Sequence, residues 1–327
     1  MIITKTPFRM SFFGGGTDME AYFRENGGAV LSATFDKYCY VQVRQLPKFF
    51  EYSSELIYSR TERVKSVEDI EHPLIRNAMQ MLGMSDLRVT YDADLPARSG
   101  LGTSSSFAVG MLSAFYALKG QYVDKQKLAD DAIYLERVLC REAGGWQDQI
   151  AAAFGGLNRI DFGEHGYTVH PLIISRERRQ QLNDRLLMYF TGFTRLSSEV
   201  QKDNAASSTA NRNAILREMH QLVDEAQSAL TNVSGSLDEF GRLLDYTWRL
   251  KRQTGSRIST NSIDEMYARG VQAGALGGKL LGAGSGGFLI FYVQPEKREA
   301  VRQAMSDLLE IPFSFEENGS QVLYYRS

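Results

Sequence analysis

Cysteine and histidine are both scarce in this chain of 327 residues: Cys39 and Cys140 are the only thiols, and His72, His165, His170 and His220 the only imidazoles. Two thiols so far apart, each in apolar surroundings, offer neither a disulfide framework nor a thiolate metal site and read as buried free cysteines. None of the histidines stands in a recognisable nucleophile setting, which disfavours covalent hydrolase chemistry. An excess of either charge is also missing. With 37 Lys and Arg against 39 Asp and Glu, the formal net charge is −2, so nothing draws the chain globally to nucleic acid or to an anionic membrane. Any anion it binds must be held locally. The most apolar late stretch, Leu280 to Val293, is interrupted by glycines and falls short of the ~20 residues of a bilayer span. At the N-terminus, Lys5, Pro7 and Arg9 break up the apolar residues before a signal-peptide core can form. These absences lead to the expectation of a cytoplasmic protein with no nucleic-acid or membrane partner.

What is present is an ordinary globular composition, 43% hydrophobic and 23% charged, with length for roughly two domains. The first ninety or so residues read as short strands at Ile2-Ile3, Arg9 to Phe13, Ala29 to Phe35, Tyr38 to Arg44 and Leu87 to Tyr91. The period then changes. Ala108, Met111, Leu112, Phe115 and Leu118 stand at helical spacing from Ser104 onward, buried on more than one side, with Gly120 placed to end the helix. A second helix is expected from Lys127 to about Arg141, with Asp124 as N-cap and Glu136 beside its apolar face. Strand character returns at Leu157 to Phe162, and the polar segment Arg176 to Asp184 reads as a surface helix near a boundary between units 1–184 and 185–327. Beyond an apolar strand at Leu186 to Phe190, the segment from Leu196 to Asn213 is polar, with Ala205 to Asn213 expected to be mobile. Helical patterns follow around 214–231, 236–252, 261–274 and 295–309, and strands at Phe288 to Val293 and Gln321 to Tyr325 are expected to complete an α+β second half.

Three glycine-rich segments carry the functional signal. In Leu95-Pro-Ala-Arg-Ser-Gly-Leu-Gly-Thr-Ser-Ser-Ser-Phe107, glycines stand immediately before a strong helix, where unpaired N–H groups and the positive dipole end favour a phosphate. The hydroxyls there can cap the helix or ligate magnesium; taken alone, the segment is equally an ordinary loop with a serine N-cap. No Lys follows in the G-x-x-x-x-G-K-[ST] pattern, so a P-loop NTPase is disfavoured. Gly282-Ala-Gly-Ser-Gly-Gly287 satisfies G-x-G-x-x-G, but a strand follows where a dinucleotide fold needs a helix, which excludes the Rossmann reading. That loop reads instead as a tight turn lying against a ligand or another backbone. The third segment, Phe13-Gly-Gly-Gly-Thr-Asp18, follows a strand, is preceded by Arg9 and closes on an acid. Two carboxylates complete the set: Asp148, which local sequence alone also explains as a helix-start acid, and Glu136, which alone also reads as a solvated helix residue.

In this order and spacing, the segments resemble the motifs of the GHMP kinases, the superfamily named for galactokinase, homoserine kinase, mevalonate kinase and phosphomevalonate kinase. Arg9-Met-Ser-Phe-Phe-Gly-Gly-Gly-Thr-Asp18 resembles the first motif, R-x-x-x-x-G-E-H-T-D in galactokinases. Pro96 to Ser106 resembles P-x-x-x-G-L-G-S-S, Gly278 to Gly287 resembles the third motif, and Gly145-Trp-Gln-Asp-Gln149 is similar to the G-x-x-D-Q segment. The resemblance covers essentially the whole chain. Gly15 and Gly16 stand where galactokinases have Glu and His, which departs from a galactose pattern. Ser11 to Asp18, Gly28-Ala-Val-Leu-Ser32, Asp36-Lys37, Gly100 to Phe107 and Tyr189-Phe-Thr-Gly-Phe-Thr-Arg195 most resemble the bacterial D-glycero-D-manno-heptose 7-phosphate kinases, with L-fucokinase-type enzymes next.

The resemblance implies an α+β, two-domain GHMP kinase fold, with an N-terminal unit like ribosomal protein S5 domain 2, a ferredoxin-like C-terminal unit and the active site in the cleft between them. It implies ATP and Mg²⁺ as cofactors, a small sugar phosphate as acceptor, and a monomer or homodimer. Pro96, Ser99, Gly100, Leu101, Gly102, Thr103, Ser104, Ser105 and Ser106 would form the nucleotide site, with the backbone amides of Gly100 to Ser106 cradling phosphates. Ser104 and Glu136 would hold the metal. Asp148 would accept or orient the C1 hydroxyl proton, and Arg9 would stabilise charge near the transferring phosphoryl group. Gly15, Gly16, Asp18, Gly284, Ser285, Gly286 and Arg195 would contact the sugar. A 7-phosphate would need a further basic anchor, for which Arg195 and Lys279 are candidates on motif position. A catalytically silent sugar sensor is the alternative of a different class; the presence of Asp148, Glu136 and Arg9 argues against it.

Overall fold

The computed structural model of the chain describes residues 1–97, 99–192, 209–255, 258–282 and 286–326. Its first unit runs β1 (Ile2–Phe13), α1 (Glu20–Asn26), β2 (Gly28–Gln45), β3 (Ser54–Ile57), β4 (Thr61–Val64), α2 (Pro73–Met81), β5 (Leu87–Ala93), α3 (Thr103–Leu118), α4 (Lys125–Ile133), α5 (Gln147–Phe154), β6 (Leu157–Gly163), β7 (Gly166–Pro171) and α6 (Arg176–Asp184). The remainder runs β8 (Leu186–Phe190), α7 (Thr209–Thr231), α8 (Asp238–Gln253), α9 (Asn261–Gln272), β9 (Ala275–Leu280), β10 (Phe288–Val293), α10 (Arg298–Ala304), β11 (Leu309–Glu310), β12 (Phe315–Glu316) and β13 (Gln321–Tyr325).

Two sheets result. The larger is ordered β13-β1-β2-β5-β3-β4, with β6 and β12 also on β2 and β7 on β6; the smaller is β11-β8-β10-β9. Long β2 serves two neighbours in turn, β6 along Gly28 to Ala33 and β5 along Cys39 to Gln45. One face of the large sheet packs on α2 to α5 through Val41, Val43, Val89, Met111, Leu112, Phe115 and Ile150. Its other face, with Phe8, Met10, Phe12 and Phe35, meets α7, α8 and one face of the small sheet. Strict alternation in the small sheet completes the layering: Phe288, Ile290 and Tyr292 join that shared core, while Leu289, Phe291 and Val293 turn to a third cluster around Trp248 and Tyr267. Helix α3 is buried from Thr103 to Tyr116 apart from Ser104, in keeping with its apolar composition.

Several expectations are corrected. Residues Gln321–Tyr325 do not complete the second half; they return to the first sheet as an edge strand on β1, pairing Ile2 with Tyr325 and Lys5 with Gln321. The helix expected over 295–309 is a short turn at Pro295–Lys297 and α10, because Leu309–Glu310 pairs with β8 instead. The helix expected from Lys127 to Arg141 starts at Lys125, with the Asp124 side chain accepting from Lys127 N as its cap, and gives way after Ile133 to a wide π-helical turn, Tyr134–Leu139. Of the segment 205–213 expected to be mobile, Thr209 to Asn213 lie in α7 and 205–208 fall outside the described residues. Helix α2, the β3–β4 hairpin and β7 carried no expectation. Cys39 is buried and Cys140 only half-buried, and both are free.

Candidate active site

Alternation along β1 sends Phe8, Met10 and Phe12 into the core beneath the second unit, which leaves Arg9 and Ser11 facing the opposite way. There Arg9 Nε donates to Asp148 Oδ1 at 2.7 Å and Nη1 to Gly100 O at 2.7 Å. One guanidinium therefore joins the first turn of α5 to the loop that leads into α3. Arg9 N also donates to Leu101 O at 3.2 Å. Gly102 makes the close approach possible: with φ +72° it turns the chain into α3, and a Cβ there would stand 3.3 Å from Arg9 Cγ and 3.4 Å from Asp148 Cγ.

Because its N-cap is glycine, α3 opens without a side-chain cap. Its first internal bond runs from Ser106 N to Gly102 O at 2.8 Å, so the N–H groups of Ser104 and Ser105 lie in the turn ahead of it, at the positive end of the helix dipole. Such a terminus is an anion site. Ser104 is exposed, and its Oγ donates to Glu136 Oε1 at 2.9 Å; Ser105 Oγ donates to Glu136 Oε2 at 2.6 Å, and Gln149 Nε2 donates to the same oxygen. Glu136 reaches this position because the π-helical turn widens the helix. Cys140 N bonds back to Leu135 O and Glu142 N to Glu136 O, and both Leu135 and Glu136 are fully buried. No ion pair reaches Glu136 among the described residues, so its carboxylate is held by neutral donors alone.

The three glycine segments converge. A Cβ on Gly100 would lie 2.3 Å from Leu281 O, and one on Gly287 would lie 2.1 Å from Ser99 O. The two ends of the β9–β10 connection, at Leu281 and Gly287, thus rest on Ser99 and Gly100, backbone against backbone. In the first segment, Asp18 is 3% exposed and its carboxylate accepts from Gly16 N at 2.8 Å and from Gln147 N at 3.3 Å. It thereby ties the Gly14–Gly16 turn to the start of α5. Gly145 permits this, since a Cβ there would fall 1.8 Å from Asp18 Oδ2.

Two lysines of the second half enter the same region. Lys251 Nζ donates to Gly15 O at 3.0 Å, and Lys279 Nζ to Phe12 O at 3.0 Å. Burial pushes Lys251 down to about 8, opposed by Asp18 and aided by Arg212. Burial likewise pushes Lys279 down to about 7, aided by Lys251 and Arg9 and opposed by Asp18. Ser11 Oγ, Ser99 Oγ and the Oε1 atoms of Gln147 and Gln149 are buried with no partner among the described residues. Of these, Ser11 and Gln147 both flank Gly15, and orphan polar atoms beside one turn are what a ligand's own polar groups could satisfy.

The family model for the GHMP kinases N terminal domain matches residues 70–156, and that for the GHMP kinases C terminal matches 219–311. The chain is 30% identical to the D-glycero-alpha-D-manno-heptose 7-phosphate kinase of Campylobacter jejuni, over 97% of this chain and 97% of that one. It belongs to the GHMP kinases. Among solved structures, a D-glycero-D-manno-heptose 1-phosphate kinase from Bacteroides thetaiotaomicron superposes with TM-score 0.81 at 26% identity, covering 100% of both chains. The L-fucokinase/L-fucose-1-P guanylyltransferase of Bacteroides fragilis is 26% identical over 91% of this chain and 35% of its own length. This GHMP kinase is accordingly a sugar kinase, a phosphotransferase that uses ATP and an alcohol acceptor.

Within this GHMP kinase, the contacts above link Arg9, Gly100, Gly102 and Asp148, join Ser104 to Glu136, and tie Asp18 to the start of α5. Ser106 is different: its N–H closes the first turn of α3 and its Oγ donates to Pro7 O at 2.9 Å, so it fastens the helix to β1. Pro96 is exposed ahead of the loop. Arg195, Gly284 and Ser285 lie outside the described residues. Lys251 went unread, and Gln149 was read only as the last residue of the G-x-x-D-Q resemblance. Its donation to Glu136 is a contact between distant turns that the motif alone does not spell out. Lys251 does leave a trace: it stands at helical spacing from the buried Leu244, Thr247 and Trp248 of α8 and is itself half-buried.

Proposed function

We propose that this sugar kinase transfers the γ-phosphoryl group of ATP to the anomeric C1 hydroxyl of D-glycero-D-manno-heptose 7-phosphate. The product is the 1,7-bisphosphate, on the way to nucleotide-activated heptose for surface glycans, made in the cytoplasm. The observation that carries the reading is the Arg9–Asp148 pair set against Gly100 and Gly102, in a chain similar end to end to a heptose 7-phosphate kinase.

Phosphoryl transfer asks for positioning and charge neutralisation more than covalent chemistry. The N-terminus of α3 grips the nucleotide phosphates through the amides of Ser104 and Ser105. Asp148, a quarter exposed beside Gly102, accepts or orients the proton of the acceptor hydroxyl. Arg9 holds that carboxylate and presents its charge next to the phosphate loop. The buried Glu136 carboxylate, without a countercharge of its own, and the Ser104 hydroxyl form an oxygen donor set that fits Mg²⁺. When bound, that ion neutralises charge on the phosphates. Each Asp18 oxygen keeps lone-pair capacity beyond its backbone bond, available to a sugar hydroxyl.

An L-fucokinase-type reaction is the second reading, favoured by the similarity to the Bacteroides fragilis enzyme. A coupled ADP-release screen across heptose 7-phosphate, fucose and galactose, with the product position read by phosphorus NMR, decides between them. A clear preference for the phosphorylated heptose and a C1 phosphate is expected. Preference for fucose would replace the proposal, and no turnover of any sugar would favour a silent sensor.

A further inference from the structure

The first glycine turn carries more positive charge than the catalytic steps use. Lys251 and Lys279 rest on carbonyls at either side of the same turn, Gly15 O and Phe12 O, each at 3.0 Å. Neither makes an ion pair with a carboxylate among the described residues. The one nearby acid, Asp18, already accepts two backbone N–H groups, and Arg212 and Arg9 add further positive charge. An ammonium has three donors, and each lysine has spent one on a carbonyl. The turn beside them carries no side chains of its own: a Cβ at Gly16 would stand 3.2 Å from Leu216 Cδ2 and 3.3 Å from Lys251 Nζ, and one at Gly15 would stand 3.6 Å from Ser11 Oγ and 3.8 Å from Gln147 Nε2. Ser11 Oγ and Gln147 Oε1 are buried there without partners.

Like charges gathered at one turn, Lys279 buried and Lys251 half-buried, are costly unless an anion completes them. By the reading above, the nucleotide phosphates have a grip in the α3 terminus, Ser104 and Arg9, whereas among the described residues Lys251 and Lys279 donate only to the first turn and the strand before it. We infer that Lys251 and Lys279, with Ser11 and the Gly14–Gly16 turn, form the anchor for a phosphate carried by the acceptor sugar, so that the enzyme selects a sugar phosphate over the neutral sugar. This rests on the sugar-kinase reading above and adds to it the groups that set specificity. The depression of both lysines by burial agrees with it, since a dianion beside them would restore both ammonium charges.

The test uses the intact chain and two acceptors differing only in the distal phosphate, D-glycero-D-manno-heptose 7-phosphate and the neutral heptose. Lys251→Met is expected to raise KM for the phosphorylated acceptor about 30-fold or more relative to its effect on the neutral one, as loss of a buried charged contact does. KM for ATP should stay within about twofold. Lys251→Arg, which keeps the charge, should recover part of the loss. Equal losses on both acceptors, or a loss in KM for ATP instead, would overturn the anchor. Melting temperature, read in parallel, guards against a folding defect: removing a crowded buried charge should hold or raise it, and if Lys251→Met melts early, the same comparison is made with Lys279→Gln. Should the wild type turn over neither acceptor, the proposed reaction fails separately, and the anchor is read with inorganic phosphate alone. Phosphate should then raise the melting temperature of the wild type and do so less in Lys251→Met; an equal shift in both, or none in the wild type, would refute it.

Discussion

The two ends of the site are built on opposite electrostatic plans. At the nucleotide end, charge is met by charge or by hydroxyls: Arg9 faces Asp148, and Glu136 takes bonds from Ser104, Ser105 and Gln149. The anion-binding groups are backbone N–H dipoles, fixed by the helix that bears them. At the sugar end, two side-chain ammonium groups sit on carbonyl oxygens with orphan polar atoms beside them. The first end rests on backbone dipoles; the second rests on side-chain ammonium groups, which we propose a phosphate on the acceptor completes. A helix dipole suits a phosphate common to every reaction of a kinase family, whereas side chains from α8 and β9 can change with the acceptor without disturbing the fold.

Four measurements bear on that contrast. The largest effect belongs to Asp148→Asn, expected to lower kcat about a hundredfold to ten-thousandfold while nucleotide affinity changes little; unaffected sugar-dependent ADP release would remove Asp148 from catalysis. Next is Gly100→Ala. With φ +82° and Leu281 O only 2.3 Å from a new Cβ, it should cost about 1–3 kcal/mol of stability and raise KM for ATP, read by melting and initial rates. Normal ATP kinetics in that variant would mean the backbone contact is not part of the nucleotide grip. Glu136→Gln and Ser104→Ala come third, each expected to shift the Mg²⁺ dependence upward about tenfold, and an unchanged magnesium titration would break the assignment of that oxygen set.

The smallest effect is in pH. Lys279 at about 7 and Lys251 at about 8 both lie below the ordinary 10.5. Between about 7 and 10 the unfolded chain therefore binds more protons than the folded one, and the stability of the ligand-free enzyme should rise with pH, by at most about 1.4 kcal/mol per unit per proton. Asp18 opposes this by favouring the charged lysines, and Arg9 and Arg212 reinforce it. Stabilisation by inorganic phosphate should run the other way, weakening as pH climbs through 7 to 8. A slope that persists in Lys251→Met and Lys279→Gln would assign the titration to other groups.

Legibility in the sequence followed the same divide. The phosphate grip is local: glycines, hydroxyls and a helix within Gly100 to Leu118 spell it out, and Asp148 lies in a short motif of its own. The lysine pair is not local. Lys251 and Lys279 meet the Gly14–Gly16 turn only because two cores stack the second unit on the face of β1, and no period or spacing encodes that meeting. Glu136 falls between these cases, since its place beside an apolar face was readable but the π-helical turn that buries it was not. In the fold, long periodic elements such as α3 were evident. The two-residue strand at Leu309–Glu310 and the destination of Gln321–Tyr325 depend on partners far away in the chain.

That destination has a consequence for how the enzyme is made. Strand β1 pairs with the nearby β2, yet its outer edge waits for residues 321–325, and Phe315–Glu316 must return to β2 as well. During translation the first sheet therefore emerges with an unpaired edge, and its apolar face of Phe8, Met10 and Phe12 stays uncovered until α7 and α8 arrive. Exposed edges and apolar faces on a partly made chain invite mispairing with other chains. That edge closes only when β13 docks, so the large sheet is completed by a strand that follows the whole of the small one in the chain.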